Sequence, residues 1–277
     1  MYNALSFFLL MLLVLACQQE ATYTEDMAEQ HADDTAEASG MTHVEGTEVD
    51  TETVVYGTVD GEEVTGFLAT PLGDATDLPG VIVIHEWWGL NANIEAMARA
   101  FAAQGYRALA VDLYGGEMAD DPTGARSLMQ AAMGDIPKAR QNLTAAHAYL
   151  TNAGSAKVGS VGWCFGGHMS LQTGLALPDE LDAMVIYYGR VPDDEAMLAP
   201  LNMPILGLFG EADGGIPVSS VRAFETALNN LGKDAEIIIY EGAGHAFANP
   251  SGQNYQEAAA TESWEETLTF FDQHLKR

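Results

Sequence analysis

From about residue 53 onward, short unbroken apolar runs alternate with longer stretches in which apolar positions recur every three to four residues. The runs are 81–84, 108–111, 157–161, 183–188, 205–209 and 237–240. Their continuity suits strands buried on both faces of a mainly parallel sheet, because a half-exposed strand would alternate polar with apolar. Residues 54–59 and 64–69, joined at Asp60-Gly61, predict an opening antiparallel hairpin. Helical periodicity covers roughly 93–104, 123–151, 168–176, 217–231 and 256–275, with Pro178 and Gly232 marking helix ends. Strands alternating with helices predict one α/β domain over residues 51–277, and no internal repeat is visible.

The N-terminal part has a different texture. Residues 5–16 form an apolar stretch too short to span a bilayer and of the length of a signal-peptide core, so residues 1–16 are expected to be cleaved. Val14-Leu15-Ala16-Cys17 resembles a bacterial lipobox, which implies acylation at Cys17 and an exported, membrane-anchored chain facing the periplasm or the cell surface. Met1-Tyr2-Asn3 departs from a secretory n-region by carrying no Lys or Arg. Secretion without a lipid, and a buried terminal helix, are the alternatives. Residues 17–50 hold Tyr23 as their one aromatic and are rich in Glu, Asp, Thr and Ala, so they are expected to form a disordered acidic tether; His31 and His43 within it suggest no metal role.

Composition narrows the partners. The chain has 277 residues, 48% hydrophobic, enough for a sizeable core. Acids outnumber bases 40 to 11, so a polyanionic nucleic acid would be repelled. Ten of the acids lie in residues 18–50, leaving 30 against 11 elsewhere, and the folded part is acidic in its own right. The expected partner is a small molecule, with membrane contact through the lipid anchor only and a monomer or small homo-oligomer. No cofactor or metal is called for.

Cysteine is scarce: besides Cys17 there is only Cys164, in Gly162-Trp163-Cys164-Phe165-Gly166-Gly167 directly after the run ending at Val161. A parallel sheet gathers its chemistry at the carboxyl ends of its strands. Gly-x-Cys-x-Gly there matches a nucleophile elbow with cysteine in place of serine, a turn that projects the nucleophile out of the sheet above a helix N-terminus. The helix end favours a thiolate and offers the Phe165 N–H to an oxyanion. A buried cysteine beside a structural turn is the plainer alternative. Two further residues then fall in the order this arrangement requires. Asp213 follows the strand ending at Phe209, and His245 follows the strand ending at Tyr240. Cys164, Asp213 and His245 are therefore the expected triad, with Glu211 the competitor for the acid.

The segments His85-Glu86-Trp87-Trp88-Gly89-Leu90-Asn91, Asp112-Leu113-Tyr114-Gly115-Gly116, the elbow, residues 210–213 and Gly244-His245-Ala246-Phe247-Ala248-Asn249-Pro250 together resemble the dienelactone hydrolase family over residues 53–275. The resemblance implies an α/β-hydrolase fold, a mainly parallel twisted sheet with helices on both faces. It implies that Glu86, otherwise a surface strand-end carboxylate, takes part in activating the cysteine and that the Trp87 N–H completes the oxyanion hole with Phe165. It also implies a pair of arginines for a substrate carboxylate. Arg126 matches the first; Val221 stands where the second would fall, with Arg222 one position later and about 100° further round a helix. Arg126 is otherwise a solvated helix residue. Trp88, Tyr114 and Phe247, like Trp87, lie near strand ends and either line an apolar pocket or pack in the core. The expected activity is cleavage of a lactone or small carboxylic ester through an acyl-enzyme. A non-catalytic surface lipoprotein and a thiol redox sensor are the rival readings.

Overall fold

The computed structural model describes residues 48–73 and 76–277. The readings of residues 1–16, Cys17, His31 and His43 lie outside these residues, and residues 49 and 50, assigned above to the tether, belong to the first strand. That strand, β1 (Val49–Val59), pairs antiparallel with β2 (Glu62–Pro71). The turn between them takes φ 52° at Asp60 and 88° at Gly61, the left-handed pair that a two-residue hairpin needs. The first half of β1 is polar and exposed, held by its ladder to β2 rather than by burial, so hydrophobic pattern alone misses its start.

Six further strands complete one sheet: β3 (Gly80–Ile84), β4 (Arg107–Val111), β5 (Val158–Trp163), β6 (Ala183–Tyr187), β7 (Ile205–Gly210) and β8 (Ala235–Tyr240). The spatial order is β1-β2-β4-β3-β5-β6-β7-β8. β2 runs antiparallel to β4, and every pairing from β4 to β8 is parallel. β3 to β7 are buried along their whole length, which is the physical origin of their unbroken apolar runs.

The helices are α1 (Ala92–Ala103), α2 (Pro122–Met133), α3 (Ile136–Asn152), α4 (Phe165–Ala176), α5 (Glu195–Leu198), α6 (Val218–Asn230) and α7 (Glu257–Leu275). Phe101 of α1 packs on Trp264 and Phe271 of α7, and Tyr187 of β6 donates its hydroxyl hydrogen to the Ser263 carbonyl of α7 at 2.8 Å. Arg140 of α3 reaches Gln172 of α4, and Ser160 of β5 meets Ser170 of α4. These two sets of contacts cover the sheet's two faces.

Three boundaries differ from the sequence reading. The periodic stretch 123–151 is two helices, because Asp135 caps the Lys138 N–H at 3.2 Å and Pro137 lies in the first turn, where it needs no N–H partner. α4 begins at Phe165 rather than 168, since Gly166 and Gly167 carry no apolar side chain for periodicity to register. α5, capped by Asp194, spans four residues and is too short to show a period.

Candidate active site

The five consecutive parallel strands β3, β5, β6, β7 and β8 release their chains at one edge of the sheet, and Glu86, Cys164, Tyr188, Asp213 and His245 each sit just past such an end. After β5, Cys164 takes φ 56° and ψ −117°, a left-handed backbone that an L-residue adopts only under tertiary constraint. Its N–H donates to the Tyr187 carbonyl of β6 at 3.1 Å, and its carbonyl accepts from the His168 N–H at 3.2 Å. The flanking glycines are required by close approach. A Cβ on Gly162 would lie 2.1 Å from the Gly166 carbonyl oxygen, and one on Gly166 would lie 2.4 Å from the Ile84 carbonyl oxygen and 2.5 Å from that of His85. The elbow is thus pressed against the end of β3 as well as against its own helix. Cys164 itself is buried.

The loops after β7 and β8 are laced together. Glu211 N–H donates to the Tyr240 carbonyl at 3.0 Å and Ala212 N–H to the Ala243 carbonyl at 2.8 Å, which extends the β7–β8 pairing past the strands. Asp213 then meets His245: Oδ2 lies 2.7 Å from Nδ1, both side chains fully buried. The other carboxylate oxygen, Oδ1, accepts the N–H groups of Gly215 at 2.9 Å and Ile216 at 2.8 Å. Glu211 is elsewhere: exposed, it accepts the Gly242 N–H at 3.0 Å and steadies the turn that leads to His245.

Burial alone would drive His245 toward neutrality, but the Asp213 carboxylate and the Cys164 sulfur, each charge partner and hydrogen-bond partner, push its pKa up to about 10. Cys164 and Asp213 thus both act on the one ring. With Asp213 on Nδ1, Nε2 is the nitrogen through which the ring can exchange a proton with a thiol. Tyr188, after β6, sets its ring edge against His245 at 5.2 Å. Burial, and then the nearby Glu86, Cys164 and Asp213, hold its phenol well above the usual range, so it stays a neutral wall of the site.

Glu86, after β3, is buried rather than a surface carboxylate, and its Oε2 accepts Asn249 Nδ2–H at 2.7 Å. Asn249 comes from the His245 loop, so this bond joins the two loops across the site. Glu86, Asn93, Tyr188 and Asn249 share a cavity of about 20 Å³, room for one water molecule. The remaining candidates divide. Trp87 and Trp88 are buried edge to face on one another at 5.0 Å, and Tyr114 is buried against His85 and Phe165. Phe247 is wholly buried between Tyr188 and Tyr240 and supports the histidine loop from beneath. Arg126 is half-buried on α2. Arg222 stands on the outside of α6, paired with Glu225 at 2.6 Å, while Val221 is buried. The sequence reading gave no role to Tyr188, Asn249 or His85. For the last two the signal was available, since both stand inside segments that already matched a family; Tyr188 reads only as the end of an apolar strand.

Among the described residues no group of three or more His, Cys, Asp and Glu side chains is arranged to hold a metal ion, and no helix is long and apolar enough to cross a membrane.

With the geometry in place, comparison with known proteins is specific. The model of the "Dienelactone hydrolase family" matches residues 64–275. A "Putative carboxymethylenebutenolidase" of Saccharolobus solfataricus is 32% identical over 248 residues, covering 76% of this chain and 94% of that protein. "Protein usf" of Aquifex pyrophilus is 32% identical over 224 residues, covering 78% and 96%. Among solved structures, a "Putative Dienelactone Hydrolase" from Klebsiella pneumoniae subsp. pneumoniae superposes with a TM-score of 0.74 at 27% identity, covering 82% of this chain and 99% of that one. The fold, the family match and the relatives converge: this chain belongs to the dienelactone hydrolase family and is a hydrolase of the carboxylic ester and lactone type.

Proposed function

We propose that the protein cleaves a lactone or small carboxylic ester by covalent catalysis at Cys164. The observation that supports this reading is the buried Asp213–His245 pair at 2.7 Å, with Cys164 of the elbow acting on the same ring. An isolated thiol near pKa 8.5 is mostly protonated at neutral pH; a neighbouring imidazole that accepts its proton makes it a nucleophile.

The sulfur attacks the carbonyl carbon, a C–S bond forms, and the carbonyl π electrons move onto oxygen. That oxyanion is received by the N–H groups of Phe165 and Trp87, the first at the unsatisfied N-terminus of α4. Collapse breaks the C–O bond, and the His245 imidazolium gives its proton to the departing alkoxide, which in a lactone stays tethered to the acyl group. Water, deprotonated by His245, then attacks the thioester; the acid leaves and the thiol is restored. Glu86, buried beside this chemistry and oriented by Asn249, exchanges a proton with Cys164. Trp88, Tyr114 and Arg126 contact the substrate; the exposed, ion-paired Arg222 supports no second carboxylate clamp.

Acyl trapping tests the proposal. Incubation with p-nitrophenyl acetate should add one acetyl mass to the Cys164 peptide, lost in Cys164→Ala and strongly diminished in His245→Ala. Acyl mass on another residue, or labelling indifferent to His245, would remove the mechanism. We propose membrane attachment through an acylated Cys17 on the sequence motif alone; Cys17→Ser should move the protein from the membrane pellet to the soluble fraction, and unchanged fractionation would overturn it.

A further inference from the structure

His85 takes no part in the steps above, yet its surroundings are unusually determined. It is completely buried. Nδ1 lies 2.6 Å from the carbonyl oxygen of Glu86, and Nε2 receives the Leu113 N–H at 3.2 Å. A carbonyl can only accept and an N–H can only donate, so these partners dictate the neutral tautomer with hydrogen on Nδ1. Burial lowers the His85 pKa in spite of the Glu86 carbonyl and the charge of Asp112, in keeping with that neutral form. A leucine would fill the same space without two polar atoms to satisfy. The imidazole is matched instead to the backbones of two different strand-end loops.

The bond to Glu86 bears on the oxyanion hole through the planarity of the peptide unit. The carbonyl of Glu86 and the N–H of Trp87 belong to the same plane and point in opposite directions. Whatever holds the carbonyl therefore aims the N–H. The other backbone partner of that carbonyl is the Gly89 N–H at 3.4 Å, near the limit of a hydrogen bond. The same imidazole stacks on the Phe165 ring, centroids 5.6 Å apart and planes 27° from parallel. His85 thus touches both residues whose N–H groups the preceding mechanism assigns to the oxyanion, one through the peptide and one through the side chain. The end of β3 has no freedom to slide and compensate, since Gly166 is packed directly against the Ile84 and His85 carbonyls.

We propose that His85 is a positioning residue of the oxyanion hole, its Nδ1–H clamping the Glu86 carbonyl so that the Trp87 N–H points at the developing negative charge. This rests on the ester-hydrolysis reading above and goes beyond it by naming what fixes one donor. Without the clamp the Glu86–Trp87 peptide can rotate, which withdraws a donor and turns a carbonyl oxygen toward the oxyanion.

Two amide variants separate the clamp from mere filling of the core. In His85→Asn the amide nitrogen falls near Nδ1 and can still donate to the Glu86 carbonyl; in His85→Gln it reaches toward Nε2 and the clamp is lost. The readouts are kcat and KM for p-nitrophenyl acetate, the iodoacetamide alkylation rate of Cys164, and inhibition by a trifluoromethyl ketone, whose adduct carries the oxyanion. Loss of one oxyanion donor costs about 10²–10³ in kcat, so a misdirected one in His85→Gln should cost roughly 10–100-fold. KM and alkylation should stay within about twofold, because neither uses the oxyanion hole. Ketone affinity should fall in parallel with kcat. His85→Asn should retain about tenfold more kcat than His85→Gln. Equal kcat in the two variants, or a loss shared equally by alkylation and hydrolysis, would overturn the inference while leaving ester hydrolysis intact. A wild-type protein that hydrolyses no ester would instead sink the underlying reading.

Discussion

The loops that follow β3 and β8 each bury a histidine in the same site, and they treat its charge in opposite ways. His85 meets a carbonyl and a backbone N–H, neutral groups that accommodate only a neutral ring, and burial lowers its pKa. His245 is just as buried, but a carboxylate lies 2.7 Å from one nitrogen, Cys164 adds its influence, and its pKa rises to about 10. Depth is the same in both; the partners decide the sign. A histidine bonded only to neutral backbone is suited to holding geometry, while one between an acid and a thiol is suited to moving protons.

The contrast can be broken most severely at the β8 end. His245→Gln removes the base and should lower kcat/KM for p-nitrophenyl esters by at least about 10³, measured under initial-rate conditions. Asp213→Asn keeps the shape and loses the charge that holds Nδ1–H, so a fall of about 10²–10⁴ is expected. The rate of Cys164 alkylation by iodoacetamide sharpens this. At pH 7 it should be several-fold slower in Asp213→Asn than in the wild type, since the ring that takes the sulfur's proton loses its charge partner. Equal rates would contradict activation of the sulfur through His245.

Stability should follow the two histidines in opposite pH directions. His245 has a folded-state pKa raised from 6.5 to about 10, so its contribution is complete below about pH 6.5 and fades as pH rises through 10. The lowered pKa of His85 gives a contribution present above about pH 6.5 and lost as acid protonates the ring. Urea midpoints from pH 5 to 10 for the wild type, His245→Gln and His85→Asn read the two trends. Parallel curves for both variants would erase the distinction.

A smaller effect is expected across the bond that joins the two loops. Asn249→Asp would set a carboxylate against Glu86 where an amide now donates at 2.7 Å. A loss of about 1–3 kcal/mol in urea unfolding is expected, easing at low pH as one carboxyl takes up a proton. The least effect belongs to Arg222→Ala, which breaks an exposed pair with Glu225 and should change stability by about 0.5 kcal/mol or less and kcat/KM not at all.

Much of the scaffold is visible in the chain because burial on both faces leaves a one-dimensional trace: Val81, Ile82, Val83 and Ile84 are all fully buried and all apolar. The elbow is visible because Gly162 and Gly166 stand where no Cβ fits. Where pattern failed, it failed for local reasons. β1 is an exposed edge strand held by backbone ladders, and the break at Gly134-Asp135 is a cap and a proline rather than a change of period. Phe247, near a strand end in sequence, proves to be core beneath the histidine loop, because proximity to a strand end does not say which way a ring points.

What the sequence by itself determined was the alternation of elements, the cysteine at a strand-to-helix turn, and the order in which an acid and a histidine follow it, since periodicity and spacing are local properties of a chain. Only the tertiary structure decided that Asp213 rather than Glu211 meets His245, that Asn249 reaches Glu86 from 163 residues away, and that Arg222 turns outward. Charge and hydrogen bonding act across a few ångströms of space whatever the separation along the chain, so neither a pKa nor a partner can be read until the strand ends have been brought together.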